Sequence, residues 1–189
     1  MMDERPRCDW CGTDPIYRKY HDEEWGNEAF DDSRQFEFLT LESAQAGLSW
    51  LTVLRKREAY RKAYAEFNPE IVAHWGEKEI NTLISNPGII RNRLKIKSSI
   101  SNAGLFLDLS SRHGSFANWL LSFYSGRPRV NNWKTVEDVP VTSPEAQAIA
   151  REAKTLGFKF FGPVIIYAHL QATGIVNDHL TYCWRRQSG

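Results

Sequence analysis

Two sets of residues in this chain have the types and spacing to do chemistry. The first is Leu41-Glu42-Ser43-Ala44-Gln45-Ala46-Gly47-Leu48-Ser49-Trp50, where a carboxylate, a glycine corner and a large aromatic fall close together. A carboxylate accepts hydrogen bonds or faces a cation, and an aromatic ring stacks. Brought to opposite ends of a tight corner, Glu42 and Trp50 can face a common space, and such a corner can hold a pocket. The second set is Cys8, Cys11 and His21 near one end with His179 and Cys183 near the other. Four nitrogen or sulfur ligands in a tetrahedron make a closed structural zinc site. His179 and Cys183, four apart, would share one face of a helix capped by Asn177 or Asp178. The other half has two solutions. Cys8 with Cys11 forms a Cys-x2-Cys knuckle, whereas Cys8 with His21 forms a second Cys-His pair. Spacing alone favours the knuckle and leaves both open.

Helices must position these residues. Asp32, with Gln35 three residues on, predicts the cap of a helix carrying Phe36, Leu39 and Leu41, which Gly47 ends. Ser49 caps the next, running through Leu51, Leu54 and Tyr60 toward Phe67. Asn68-Pro69 opens a short helix to Trp75, and Gly76-Glu77 restarts the chain toward Ile84. After the Asn86-Pro87-Gly88 turn, Ile89 to Leu109 reads as a long helix flanked by Arg91, Arg93, Lys95 and Lys97. Those bases read first as a solvated face and second as phosphate contacts. Gly114-Ser115 opens an aromatic-rich helix to Phe123, Arg127 to Val141 reads as a surface connection, and Ser143-Pro144-Glu145 opens a helix to Leu156. Gly157-Phe158-Lys159-Phe160-Phe161-Gly162 forms a glycine-bounded hairpin before a helix from Pro163 to Thr173. Such a hairpin can present backbone N–H groups at a helix N-terminus, where phosphate binds. The expected fold is all-α.

The 189 residues suffice for one domain, or two helical lobes around a cleft, with a core that needs no disulfides. Most of the seven Trp belong to that core; position must separate the stacking ones. With Lys+Arg 24 against Asp+Glu 23, net charge +1 neither demands nor excludes a polyanionic partner. The bases do cluster, in Arg55-Lys56-Arg57, Arg91 to Lys97 and Arg127 to Arg129. No apolar run approaches the roughly 20 residues of a membrane span, and the charged start has no signal core behind it. Three cysteines argue against a disulfide framework. The expectation is a cytoplasmic protein without a membrane partner.

Several motifs in order carry a specific likeness: Tyr20-His21-Asp22-Glu23-Glu24-Trp25-Gly26, Leu41-Glu42, Gln45-Ala46-Gly47-Leu48-Ser49-Trp50, Gly88-Ile89-Ile90-Arg91, Gly157-Phe158-Lys159-Phe160 and Val176-Asn177-Asp178-His179. From Cys8 to about Cys183 the chain resembles the 3-methyladenine DNA glycosylase I family. The resemblance implies an all-α helix-hairpin-helix glycosylase with one structural zinc joining the terminal segments, no organic cofactor, and a monomer. It selects Cys8, His21, His179 and Cys183 as ligands and leaves Cys11 out. It implies excision of 3-methyladenine from alkylated double-stranded DNA, with an abasic site left behind and the free base as product.

On that resemblance, Glu42 reads the adenine edge, Tyr20 and Trp50 line the pocket, and Trp10, Tyr17 and Trp25 are further aromatic walls. Gly47-Leu48 is the wedge that fills the gap of the flipped nucleotide. Gly157, Lys159 and Gly162 contact DNA through the hairpin. The base is already cationic and leaves neutral, so little acid catalysis is needed. Consistent with this, Asn177 stands where many helix-hairpin-helix glycosylases place an aspartate, and no lyase lysine is evident. Two alternatives remain: a glycosylase of other base preference, and a zinc-stabilised DNA-binding module without activity.

Overall fold

The computed structural model describes residues 5–188, and ten α-helices account for most of them. At the centre is α2 (Asp32–Gln45), where every side chain from Gln35 to Ala44 is buried. A helix buried all round shows no amphipathic stripe, so only some of its apolar positions could be read from periodicity. It packs on α3 (Trp50–Leu54), α7 (Arg93–His113), α8 (Phe116–Ser122) and α10 (Pro163–Ala172). The cap is Asp31, whose carboxylate accepts from Arg34 N at 2.9 Å. Asp32, the expected cap, instead accepts the Phe116 N–H at 3.1 Å and so ties α8 to α2.

Four other expectations are corrected. The helix predicted from Ser49 toward Phe67 breaks into α3 and α4 (Arg57–Ala63), followed by a left-handed run at Ala65, Glu66 and Phe67 with φ of 50°, 56° and 59°. The long helix α7 starts at Arg93 because the Asn92 carboxamide accepts from Leu94 N and Lys95 N, while the Ile90 N–H is taken by the Tyr60 hydroxyl. The connection from Arg127 to Val141 is more than a surface loop: Arg129–Val130 (β1) pairs in parallel with Val176–Asn177 (β2), and a 3-10 turn follows at Val136–Asp138. His179 and Cys183 do not lie on a helix. Gly174, at φ +72° against Asn27, ends α10, and the chain is drawn into β2; Asn177 Oδ1 then accepts from His179 N, and Thr181 N donates to the Trp133 carbonyl. The backbone donors there go to a loop and a side chain, so no helical ladder forms.

The remaining helices are α1 (Pro15–Glu23), α5 (Pro69–Val72), α6 (Glu77–Ser85) and α9 (Pro144–Leu156). Buried apolar residues form two clusters. The larger holds Phe36, Leu39, Phe106, Trp119, Leu120 and Ile149, and the smaller holds Cys8, Tyr20, Trp25, Phe38, Leu180 and Cys183; Trp50 packs against both. Many bases that sequence grouped as a potential DNA face are engaged within the fold. Arg57 bonds Glu37 and Glu24, Arg55 bonds Asp14, and Arg93 and Lys97 both reach Glu77. Lys95 donates to the carbonyls of Ala44 and Ala46 at 2.8 and 2.6 Å, closing the C-terminal end of α2 as a cation should. Among the described residues no helix is long and apolar enough to cross a membrane.

Candidate active site and metal centre

The corner after α2 is built around Gly47, at φ +81°, and Ser49, whose hydroxyl accepts from Thr52 N to start α3. Glu42, at the last turn of α2, and Trp50, the first residue of α3, both line one cavity of about 370 Å³. Aromatic rings form one wall. Trp10 meets Tyr17 edge-on at 5.2 Å and Trp25 at 4.9 Å, and Tyr20 lies 5.5 Å from Trp50. All five rings line the cavity, and Val136, Val139, Pro140, Val141 and Val164 form an apolar wall beside them.

Glu42 is 2% exposed, and its Oε2 lies 2.9 Å from His169 Nδ1. Burial pushes its pKa up, and the neighbouring imidazole acts against that rise. No hydrogen bond among the described residues engages Oε1, which leaves an acceptor for a ligand. Asp178 also lines the cavity, but both its oxygens are taken: Oδ1 by Asn131 and Trp133, Oδ2 by Tyr167 and Gln171, all at 2.7–2.8 Å. Tyr20 has its pKa raised well above the ordinary value, by burial first and by Glu42 next, so its hydroxyl stays protonated. The cavity therefore offers stacking faces and one available carboxyl oxygen.

Against the aromatic wall lies a cluster of Cys8, His21, His179 and Cys183, all buried, whose ligand atoms lie within 4.8 Å of one another. Cys183 Sγ is 3.4 Å from His21 Nε2 and 3.5 Å from His179 Nδ1, and Cys8 Sγ is 3.6 Å from His179 Nδ1. The outward ring nitrogens are already partnered: His21 Nδ1 with Asp22 at 2.8 Å and His179 Nε2 with the Trp25 carbonyl at 2.9 Å. Such partners turn the inner nitrogens bare toward the cluster, as metal ligation requires. The two thiols push each other apart in pKa, Cys8 up and Cys183 down, chiefly through the hydrogen bond between them. Cys11 is buried, and among the described residues its thiol reaches the Gly12 carbonyl, outside the cluster. This set can hold a metal ion.

Residues 10–186 match the family model described as methyladenine glycosylase. The chain belongs to that family. It is 41% identical over 177 residues to DNA-3-methyladenine glycosylase 1 of Escherichia coli (strain K12), covering 94% of this chain and 95% of the relative. The fold matches a crystal structure of 3-methyladenine DNA glycosylase I with a TM-score of 0.91 at 44% identity, over 95% of this chain and 98% of the other. It also matches, with a TM-score of 0.91 at 36% identity over 95% and 96% of the two chains, the Staphylococcus aureus 3-methyladenine DNA glycosylase I whose structure addresses 3-methyladenine recognition.

Set beside its glycosylase relatives, the chain gathers Tyr20, Glu42, Trp50, Trp10, Tyr17 and Trp25 around one cavity. Gly47 and Leu48 stand outside the lining, with Leu48 42% exposed at the corner that Lys95 braces. The segment 157–162, expected as a hairpin, is a turn without strand pairing that joins α9 to α10 beside a second concavity lined by Arg151, Lys154, Lys159, Phe160 and Gly162. Its middle is clamped by Asn102, which accepts from Lys159 N and donates to Lys159 O, so that amide is not free for a ligand. Sequence reasoning did not find His169 and Gln35 behind Glu42, nor the valine wall. A lone histidine in an apolar helix carries no spacing signal, and Val136, Val139 and Val141 follow no period.

Proposed function

We propose that this methyladenine glycosylase takes up 3-methyladenine, flipped from alkylated duplex DNA, in the cavity between Glu42 and Trp50, and hydrolyses its N-glycosyl bond to leave an abasic site. The observation that carries the reading is the Glu42 carboxyl, buried yet with one oxygen left for a ligand among stacked aromatic rings. A 3-methylated adenine nucleotide carries positive charge on its base and releases it neutral. The aromatic faces of Tyr20, Trp50, Trp10 and Tyr17 favour that cation by about 0.5–2 kcal/mol each, and Glu42 Oε1 accepts from the base edge. No proton need pass to the leaving group. Asp178 has no free oxygen and Asn177 is turned to the His179 amide, so neither takes part in the chemistry. Water attacks a bond already weakened by the methyl group, and the protein contributes extraction, orientation and stacking.

Duplex DNA is held, on this reading, by a helix-hairpin-helix unit made of α9, the hairpin and α10, with Lys159 and the N-terminus of α10 facing phosphate. Leu48 enters the gap left by the flipped nucleotide. Incubation with methylated duplex DNA tests the reaction: 3-methyladenine should be the free base released. Release of another base instead, or strand cleavage at the abasic site, would overturn it.

A metal bound by Cys8, His21, His179 and Cys183 would be zinc, which this two-thiolate, two-imidazole donor set suits. In a tetrahedron with bonds of about 2.0–2.3 Å, ligand atoms stand roughly 3.3–3.8 Å apart; three sulfur–nitrogen separations of 3.4–3.6 Å fall in that range, within a set that spans 4.8 Å at most. Four protein donors make the ion a structural cross-link between the terminal segments. Cys8→Ala should lose stoichiometric zinc and thermal stability together, while Cys11→Ala keeps both; zinc retained in the first and lost in the second would reverse the assignment.

A further inference from the structure

Behind Glu42 lies a buried chain of three polar side chains. His169, fully buried on α10, places Nδ1 2.9 Å from Glu42 Oε2 and Nε2 2.7 Å from Gln35 Oε1, and Gln35 is itself fully buried on α2. The Gln35 amide is oriented by a third contact, its Nε2 donating to the Ala29 carbonyl at 2.8 Å. Turning that amide over would set two acceptor oxygens against each other at the same distance, so Gln35 presents oxygen, and only oxygen, to His169. The His169 Nε2 must then carry a hydrogen and donate it. This leaves Nδ1 bare unless the ring is an imidazolium. A bare Nδ1 facing an ionised carboxylate at 2.9 Å would be a buried clash of two acceptors, and one hydrogen must lie between them.

We propose that Glu42 and His169 hold one shared proton between Oε2 and Nδ1, fixed there by Gln35, so that His169 and Gln35 act as positioning residues that aim Glu42 Oε1 into the base cavity without giving the pair net charge. The proposal rests on the assignment of Glu42 as the group that reads the base. Whether the proton is drawn as carboxylic acid with neutral imidazole or as carboxylate with imidazolium, the pair is neutral overall. Discrimination for a cationic base then falls mainly on the aromatic faces, while Glu42 supplies direction. The surroundings keep the proton in place. Phe116 and Phe161 meet the His169 ring edge-on at 6.1 and 5.7 Å, and the titratable groups that line the cavity with Glu42 are Tyr17 and Tyr20 from α1, both raised by burial, Tyr167 on α10, which donates to Asp178, and Asp178 itself, engaged by four donors.

The decisive measurement is on the unmodified protein labelled with 15N-histidine, with the His169 ring signals assigned by comparison with His169→Gln. The expected spectrum has Nε2 protonated from pH 6 to 8 and Nδ1 displaced from the bare-nitrogen position, and Glu42→Gln returns Nδ1 to that position. A neutral ring protonated at Nδ1 with Nε2 bare would overturn the shared proton, as would a Nδ1 signal indifferent to Glu42→Gln. Positioning is read separately by titration with 3-methyladenine. His169→Leu should weaken binding about tenfold, and His169→Gln, whose amide can again donate to Oε2, should recover at least half of that on a logarithmic scale. Equal losses in both variants with unchanged melting temperature would remove the positioning role. If the unmodified protein neither binds nor releases 3-methyladenine, the functional reading fails while the nitrogen spectra still decide the proton.

Discussion

Glu37 and Glu42 sit on the same helix, one turn and a little more apart, and are 1% and 2% exposed. Their surroundings differ in kind. Both oxygens of Glu37 are held by guanidinium groups, with Arg34 on one and Arg57 and Arg61 on the other at 2.6–2.8 Å, and Arg34 and Arg57 reach on to Glu24. Glu42 has one imidazole on one oxygen and no hydrogen bond from the described residues on the other. Burial alone does not mark a functional carboxylate. A buried acid whose every lone pair is met joins elements of the fold, here α2 to α4; one that leaves a lone pair facing a cavity is able to bind.

The largest test of that contrast is Glu37→Gln, which strands three arginines around a neutral amide. Breaking a buried ion network costs about 3–5 kcal/mol, so the melting temperature should fall by roughly 10 °C while affinity for 3-methyladenine in the folded protein is retained. Loss of affinity with unchanged melting temperature would erase the distinction. Glu42→Gln should show the inverse pattern. Replacing the carboxyl that His169 holds in place by an amide, which has only one acceptor oxygen to offer the base, lowers base affinity by about tenfold, roughly 1–1.5 kcal/mol, and lowers excision by a similar factor. Single-turnover excision collapsing by orders of magnitude at intact affinity would make Glu42 a catalyst.

Acid separates the two sites further. Glu24 has its pKa lowered: burial works against this, and Arg57 and Arg34 outweigh it. A depressed acid adds stability above its unfolded value, near 4.3, and that stability is lost as pH falls through the folded value. Glu42, raised by burial, has the opposite sign, its neutral form being the one the fold favours as pH drops. Acid titration of stability should therefore lose the Glu24 contribution in a Glu42→Gln protein and in the parent alike; equal acid sensitivity after Glu24→Gln would show that the network does not titrate. The smallest effect expected is that of Leu48→Ala, which should weaken binding to abasic duplex while leaving free 3-methyladenine binding and melting temperature unchanged. Equal losses in both titrations would remove the wedge.

Most helices were legible because their ends carry local chemistry: Ser49, Asn68, Ser115 and Ser143 all cap where expected, and Pro144 and Pro163 open helices at their first position. What failed depends on distant partners. Nothing near Gly174 shows that Val176 pairs with Arg129, so the His179–Cys183 spacing read as helical although the chain there is a turn. Glu42 and Trp50 were legible as the two ends of a local corner, whereas Trp10, Tyr17, Tyr20 and Trp25 were legible through the family likeness alone, since no spacing rule joins Trp10 to Trp50. His169, Gln35 and the valine wall stayed hidden because their roles arise from contacts across more than a hundred residues or from a loop without period. The glycine-bounded break between α9 and α10 was legible as a pattern, but the Asn102 clamp that occupies its central amide lies on α7, far from it in sequence.

The meeting of Cys8 with Cys183 has a consequence in polymer terms. An ion bound there ties nearly the whole chain into one loop, and a cross-link of that span restricts the unfolded ensemble by about 5 kcal/mol on the chain-entropy account. That advantage resides in the unfolded chain, not in any contact around the cavity. Substitutions in the aromatic wall or at Glu42 leave the loop length untouched, so a metal-bound fold would keep this reserve while its pocket varies.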